Sequence, residues 1–410
     1  MHRVVVTGMG GVTAFGEQWQ DVATRLKQGK NAVRKMPEWQ VYKGLHTLLG
    51  APIDDFQVPE HYTRKRTRSM GRVSLMATRA TELALAQAGL LDHPVLTSGE
   101  TGIAYGSSTG STGPVSEFAT MLTEKHTNNI TGTTYVQMMP HTTAVNAGLF
   151  FGLRGRVIPT SSACTSGSQA IGYAWEAIRH GYQTVMVAGG AEELCPSEAA
   201  VFDTLFATSQ RNDAPHTTPA PFDQERDGLV IGEGAGTLVL ENLEHARARG
   251  ATIYAELVGF HTNCDAAHIT QPQRETMQIC IEGALRVAGL EAKQIGYINA
   301  HGTATDRGDI AESLATAAVF GAGTPVSSLK SYFGHTLGAC GALEAWMSIE
   351  MMREGWFAPT LNLHQPSEAC GELDYIMDEP RLLETDYVQS NNFAFGGINT
   401  SLVFRRWRGS

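Results

Sequence analysis

With 410 residues, 42% of them hydrophobic and 18% charged, the chain has enough apolar material for a large core, which excludes a disordered or fibrous protein. Acidic side chains outnumber basic ones 41 to 31, so the overall field disfavours nucleic acid and an anionic partner must find a local basic patch. The six cysteines form no CxxC pair, which points to reduced thiols with no structural disulfide or metal; no apolar run is long enough to cross a bilayer, and the expected location is the cytoplasm.

Residues 3–8 (RVVVTG) read as a buried strand that breaks at a glycine turn over 8–13. The turn falls short of a dinucleotide fingerprint, because Thr13 stands where the third glycine belongs and no acidic residue follows at the required distance. Arg64, Lys65, Arg66, Arg68 and Arg72 form the densest positive cluster. They lead into a helix whose apolar stripe is Val73, Met76, Ala77, Ala80, Leu83 and Ala84, ending at Gly89. If that helix begins by residue 64, Arg64, Arg68 and Arg72 recur on the side away from the stripe, as a solvated face or as a docking patch for a small acidic protein. Residues 101–106, 157–162 and 184–189 read as strands, the first opening into the polar turn 107–110.

Between the second and third of these lies SSACTSG (161–167), followed by the helical spacing Ala170, Ile171, Ala174, Trp175, Ile178. Cys164 therefore sits at or near a helix N-terminus, where free backbone N–H groups and the macrodipole favour a thiolate. The plainer reading of a lone cysteine is a small buried hydrophobe. A loop-rich segment over 205–236, carrying Arg211, is long enough to imply a role in binding or assembly, and its glycines at 232–236 read as a turn entering the strand 237–240.

From about residue 250 the pattern starts again. A strand (252–259) and a helix (272–289) precede strand 295–300, which opens into His301; strand 326–329 opens into His335, and helix 338–352 carries Glu344. A last strand pair brackets NNFAFGGIN (391–399). Strand–helix alternation twice over implies two related α/β halves, 1–249 with the cysteine and 250–410 with the histidines. A cysteine with histidines suggests acyl transfer through a thioester. A cysteine protease would leave the second histidine without a task, whereas two neutral imidazoles donating N–H suit an enolate such as the one formed when a malonyl thioester loses carbon dioxide.

These motifs, in order, resemble an elongating β-ketoacyl-acyl-carrier-protein synthase, a condensing acyltransferase. The likeness runs nearly end to end: SSACTSG around Cys164, NAHGTAT around His301, SLKSYFGHTLGACGALE around Lys330, His335 and Glu344, and NNFAFGGIN around Phe395. The segment RNDAPHTTPAPFDQERDGLVIGEGAG is similar to the family's long central loop. The resemblance implies an α/β, duplicated thiolase-like fold, a layered α-β-α-β-α sandwich. It makes Cys164 the acylated nucleophile and the backbone N–H groups of Cys164 and Phe395 the oxyanion hole. His301 and His335 would hold the malonyl thioester and its enolate, with Lys330 and Glu344 steadying them electrostatically. Thr303 and Thr305 would touch the pantetheine arm, Phe395 would gate the acyl pocket, and Arg64, Lys65, Arg68, Arg72 and Arg211 would receive an acyl carrier protein. The implied enzyme needs no cofactor beyond the phosphopantetheine of its carrier, holds no metal, and forms a dimer, with itself or with a related chain-length-factor-like chain.

Several positions depart from the common family pattern. Ala394 replaces a glycine, which should restrict the gating loop; Ile398 replaces a threonine; Asp306, Arg307 and Gly308 replace a more apolar stretch; and Thr109 stands where an aliphatic residue closes the acyl pocket. Thr109, Ala394 and Ile398 favour a specialised polyene or polyketide pathway, aryl polyenes included, over ordinary fatty-acid synthesis. Two other readings meet specific obstacles. A non-catalytic chain-length partner would lose the cysteine, and a degradative thiolase needs a second cysteine where Phe395 stands.

Overall fold

The computed structural model describes residues 1–409. The first half supplies β1 (Val4–Val12), β2 (Thr101–Gly106), β3 (Val157–Thr160), β4 (Val185–Glu192) and β5 (Gly234–Asn242). The second supplies β6 (Ala255–Cys264), β7 (Tyr297–Asn299), β8 (Pro325–Ser327), β9 (Tyr387–Phe393) and β10 (Ile398–Arg406). In space the first set runs β3-β2-β4-β5-β1 and the second β8-β7-β9-β10-β6, so both follow the order third, second, fourth, fifth, first. The senses repeat as well. The two pairings at the outer end of each set are parallel and the two nearer the junction of the sets antiparallel. Val4, Val5 and Val6 of β1 pair with the start of β6, joining the two sets into one eleven-stranded sheet that ends at a short strand, Asp374–Tyr375. The duplication inferred from pattern is thus present as topology.

The main helices are α1 (Arg72–Gln87), α2 (Ser166–Arg179), α3 (Pro196–Asp203), α4 (Arg274–Ala288), α5 (Asp306–Phe320) and α6 (Cys340–Glu354). The outer ones, α1 and α4, lie on equivalent strands and need equivalent glycines. A Cβ on Gly8 of β1 would stand 2.2 Å from the Ala84 carbonyl oxygen of α1, and one on Gly259 of β6 would stand 2.5 Å from that of Ala284 in α4. The helices α2 and α6 fill the middle layer, and each touches the other half's strands: Gly172 of α2 abuts Phe260 of β6, and Trp346 of α6 abuts Gly11 of β1. Residues Cys340 to Met352 of α6 are buried on every side, as a helix enclosed between the strands of the two halves must be.

Three local expectations are corrected. The glycines after Val6 do not end the first strand, which continues to Val12 because they let α1 lie directly on it. Those at 232–236 likewise lie largely in strand, since β5 already begins at Gly234. The basic cluster is not one helix face: Arg64–Thr67 forms a single turn, and α1 begins only at Arg72, after Gly71, whose close approach to Ser111 leaves no room for a Cβ. No helix among the described residues is long and apolar enough to cross a membrane.

Candidate active site

The hydroxyl residues around Cys164 are scaffolding. After β3 the chain makes a tight turn with Ala163 at φ +50, passes through one 3-10 turn (Ala163–Thr165) and enters α2. The Thr160 hydroxyl donates to the Ser166 carbonyl (2.8 Å), the Ser166 hydroxyl to that of Ala163 (2.7 Å) and the Thr165 hydroxyl to that of Ser162 (2.7 Å), while the Ser162 N–H donates to Ser166 Oγ (3.0 Å). These bonds hold a left-handed alanine that would otherwise be strained, and they present Cys164 at the start of the central helix. The side chain is 3% exposed.

His335 Nε2 lies 3.0 Å from Cys164 Sγ. Its other nitrogen, Nδ1, accepts the Leu337 N–H at 3.2 Å, so the ring proton resides on Nε2 and points at the sulfur. His301 Nδ1 faces the Asn392 amide Nδ2 at 3.4 Å, which selects the same tautomer. The two rings are perpendicular, with centroids 5.1 Å apart. Burial, reinforced by the Lys330 charge, pushes both imidazoles well below their usual range, so both are neutral N–H donors. The sulfur and the histidine nitrogens lie within 4.8 Å of one another, a spacing that could also hold a metal ion. With Leu337 donating to Nδ1, however, His335 turns a hydrogen toward the sulfur rather than a lone pair.

Burial pushes the Cys164 thiol up to about 11, against the pull of the Phe395 backbone N–H, the Lys330 charge and its own backbone N–H. The resting group is therefore a thiol. The expected thiolate is corrected, because burial outweighs what the helix start supplies. Those two N–H groups nevertheless face the sulfur.

Behind the histidines is a buried polar network. Lys330 Nζ donates to Glu344 Oε1 (2.5 Å) and Asn392 Nδ2 to Glu344 Oε2 (2.7 Å). Burial works against the lysine charge, but Cys340 and Glu344 hold Lys330 above its ordinary value, and the pair is ionic. Sequence reasoning missed two carboxyls on α5. Glu312 accepts the His301 (2.6 Å) and Gly302 (2.7 Å) N–H groups, and Asp309 accepts those of Thr303 (3.0 Å) and Ala304 (3.2 Å). Their signal was available: two acids three residues apart, on one helix face, directly after the His301 turn. Asn392, inside the NNFAFGGIN motif, joins this network by bonding both Glu344 and His301.

A cavity of about 550 Å³ leads to Cys164 past Thr303, Thr305, Phe395, His301 and His335. The two threonine hydroxyls are 2.9 Å apart. In the loop carrying Phe395 the positive φ angles belong to Gly396 (+95) and Gly397 (+80), not to Ala394, so the alanine imposes no strain there and the expected restriction is corrected. Thr109 is not a small open gate: its hydroxyl lies 2.8 Å from Glu198 and 3.1 Å from Glu192. Of the basic residues, Arg64, Lys65 and Arg68 are exposed. Arg72 is bound in a bidentate pair with Glu233 and also donates to the Ile53 carbonyl; Arg211 donates to Thr217 and Glu225 carbonyls and pairs with Asp227. Both serve loop structure, so the free patch is smaller than expected.

Residues 1–246 match the family described as beta-ketoacyl synthase, N-terminal domain, and residues 254–364 its C-terminal domain. The chain is 35% identical to 3-oxoacyl-[acyl-carrier-protein] synthase 2 of Synechocystis over 99% of this chain and 98% of that protein. Among solved structures it is similar to a beta-ketoacyl synthase from Burkholderia phymatum, with TM-score 0.98 and 62% identity over the whole of both chains. It is also similar to the ishigamide ketosynthase/chain length factor, with TM-score 0.90 and 29% identity over 99% of this chain and 100% of that one. On both the family match and the end-to-end identity, the chain belongs to the β-ketoacyl synthase family.

Proposed function

We propose that this chain extends an acyl group by decarboxylative Claisen condensation with malonyl-acyl carrier protein. The observation that carries the proposal is the pair of neutral imidazoles beside a buried cysteine, with the His335 N–H directed at its sulfur. Cys164 Sγ attacks the thioester carbonyl of acyl-carrier protein, the N–H groups of Cys164 and Phe395 bind the oxyanion, and the thiol proton leaves with the pantetheine sulfur. Malonyl-carrier protein then enters along Thr303 and Thr305. As its terminal C–C bond breaks, the electron pair becomes an enolate held by the two Nε2–H groups, and carbon dioxide departs. The enolate carbon attacks acyl-Cys164, expelling the cysteine sulfur, which regains its proton from water, and leaving a β-ketoacyl chain two carbons longer on the carrier. Lys330 and Glu344 touch no substrate; burial, helped by the Lys330 charge, keeps the imidazoles neutral.

Arg64, Lys65 and Arg68 are the residues we assign to the acidic carrier protein. A second chain of the same fold, identical or related, is assigned to the free edge at β3, where Val157 and Leu149 are exposed and unpaired backbone groups invite strand pairing. The polar setting of Thr109 favours a specialised polyene or polyketide chain over a plain saturated one. Intact-protein mass spectrometry tests the chemistry: acyl-carrier protein should add its acyl mass at Cys164, and malonyl-carrier protein should remove it as extended β-ketoacyl product. No acylation of Cys164 by any donor would leave the non-catalytic partner reading standing instead.

A further inference from the structure

The condensation leaves unused a buried carboxyl pair beside the Cys164 turn. Glu192, the last residue of β4, is surrounded by donors: the Ser107 hydroxyl (2.7 Å), the Ser108 N–H (2.7 Å) and hydroxyl (2.6 Å), the Thr109 N–H (3.3 Å) and the Gly338 N–H (3.0 Å). Glu198, in the first turn of α3, is 4% exposed and meets only Thr109 Oγ1, through Oε1 at 2.8 Å. That same hydroxyl is 3.1 Å from Glu192 Oε1. A hydroxyl has one hydrogen to give. If it goes to Glu192, whose other neighbours are all donors, the Glu198–Thr109 contact needs its hydrogen from Glu198, as a neutral acid. Burial, with the Glu192 charge adding to it, pushes Glu198 well above the carboxylate range and so agrees. The remaining oxygen, Oε2, is then a buried carbonyl acceptor, and it has no hydrogen-bond partner among the described residues. An unpaired buried acceptor is costly, and an incoming donor relieves that cost.

The pair adjoins the nucleophile on several sides. Phe202, one turn after Glu198 on α3, lines the cavity that reaches Cys164, and Ala199 and Phe202 pack in one apolar cluster with Cys164. Gly338, bonded to Glu192, is three residues past His335. Gly106, at the end of β2 just before the Thr109 turn, stands so close to Ser166 that a Cβ would be 2.7 Å from its side chain. We propose that Glu198 is a specificity-determining residue whose Oε2 accepts a hydrogen bond from the acyl chain on Cys164, so that the preferred chain carries a hydroxyl, alcoholic or phenolic, rather than being a plain hydrocarbon. The proposal rests on Cys164 being the acylated residue.

The test uses the full chain and carrier proteins loaded with matched pairs: straight acyl chains of increasing length with and without a terminal hydroxyl, and p-coumaroyl against cinnamoyl. Competition for Cys164 is read by intact mass, and malonyl-carrier protein is then added. At one length or ring geometry the hydroxylated member should acylate about tenfold faster or more, the scale of one satisfied buried hydrogen bond. Glu198→Leu should remove that preference while still accepting the plain chain; Glu198→Met, close in volume, does the same service if the leucine variant melts early. Glu198→Gln should keep the preference, since an amide N–H can serve Thr109 and leave its carbonyl free. Equal rates for every pair, a preference that survives Glu198→Leu, or a loss in Glu198→Gln as complete as in Glu198→Leu would each overturn the assignment. Because plain chains report condensation directly, failure of all chains would instead overturn the ketosynthase reading.

Discussion

Cys164 and His335 occupy the same place in the two halves. Each follows the third strand of its unit across a tight turn and stands just before a central helix, α2 or α6. The turns differ in what they are made of. The cysteine turn is neutral and tied by four short-range hydroxyl and backbone bonds; the histidine turn carries Lys330, whose partner Glu344 is on the following helix. Duplication therefore supplied two equivalent sites, and charge divided the chemistry between them. One half forms the covalent bond and the other handles the charge that develops later. Substitution can break that division. Cys164→Ala should abolish acyl loading, by roughly 10⁴-fold or more as for other deleted nucleophiles. His301→Ala should still load Cys164 but lose about 10²–10³-fold in condensation, so acyl-enzyme accumulates in the mass spectrum. Equal loss of loading in both variants would contradict the division.

The charged pair sharpens the comparison next. Lys330→Met leaves Glu344 buried without its counter-charge, and removing one member of a buried pair costs about 3–5 kcal/mol. The thermal midpoint should fall accordingly. In the double variant Lys330→Met/Glu344→Leu most of that stability should return, because no lone charge remains, yet condensation should stay low because the field that helps keep His301 and His335 neutral is gone. No equivalent pair stands at the cysteine turn, so Ser162→Ala should move neither quantity comparably. Recovery of activity together with stability would show that Lys330 only holds the fold.

Most of this arrangement was legible before the coordinates. Strand 101–106, the Cys164 helix and the repeat from about residue 250 follow from period and glycine placement, which are local signals. The Cys–His–His set was legible because each member sits in a distinctive turn. What was not legible depends on contacts between residues far apart in the chain. Arg72 looked like a surface charge, but its partner Glu233 lies 161 residues away. Nothing local in the sequence marks Glu198, whose partner Thr109 lies 89 residues away. The thiol state of Cys164 was misread because burial depends on α6 and the Phe395 loop closing over the turn, not on the helix start alone. The breaks at Gly8 and Gly234 were misplaced because a glycine that admits a helix onto a strand has the same letter as one that makes a turn.

The effect that appears only with pH belongs to Glu312, which braces the His301 turn and has no counterpart in the cysteine turn. Burial is the main force on its carboxyl and Asp309 adds to it; together they outweigh the two backbone N–H groups and raise it from 4.5 to about 8. Between those values the folded chain retains a proton that the unfolded chain has released. Stability must therefore fall as pH rises from about 5 to about 8, at up to about 1.4 kcal/mol per pH unit from this one group. Below the unfolded value both states are protonated and the contribution is fully present. Glu312→Gln keeps one of the two N–H bonds through its single carbonyl oxygen and starts from a lower stability, but it cannot ionise, so its stability should lack that slope. Urea unfolding from pH 5 to pH 8 compares them directly, and wild type should lose ground to Glu312→Gln steadily across the range. Parallel curves would mean that Glu312 is ionised in the folded protein, and that the His301 turn is braced by a charge, as the His335 turn is by Lys330.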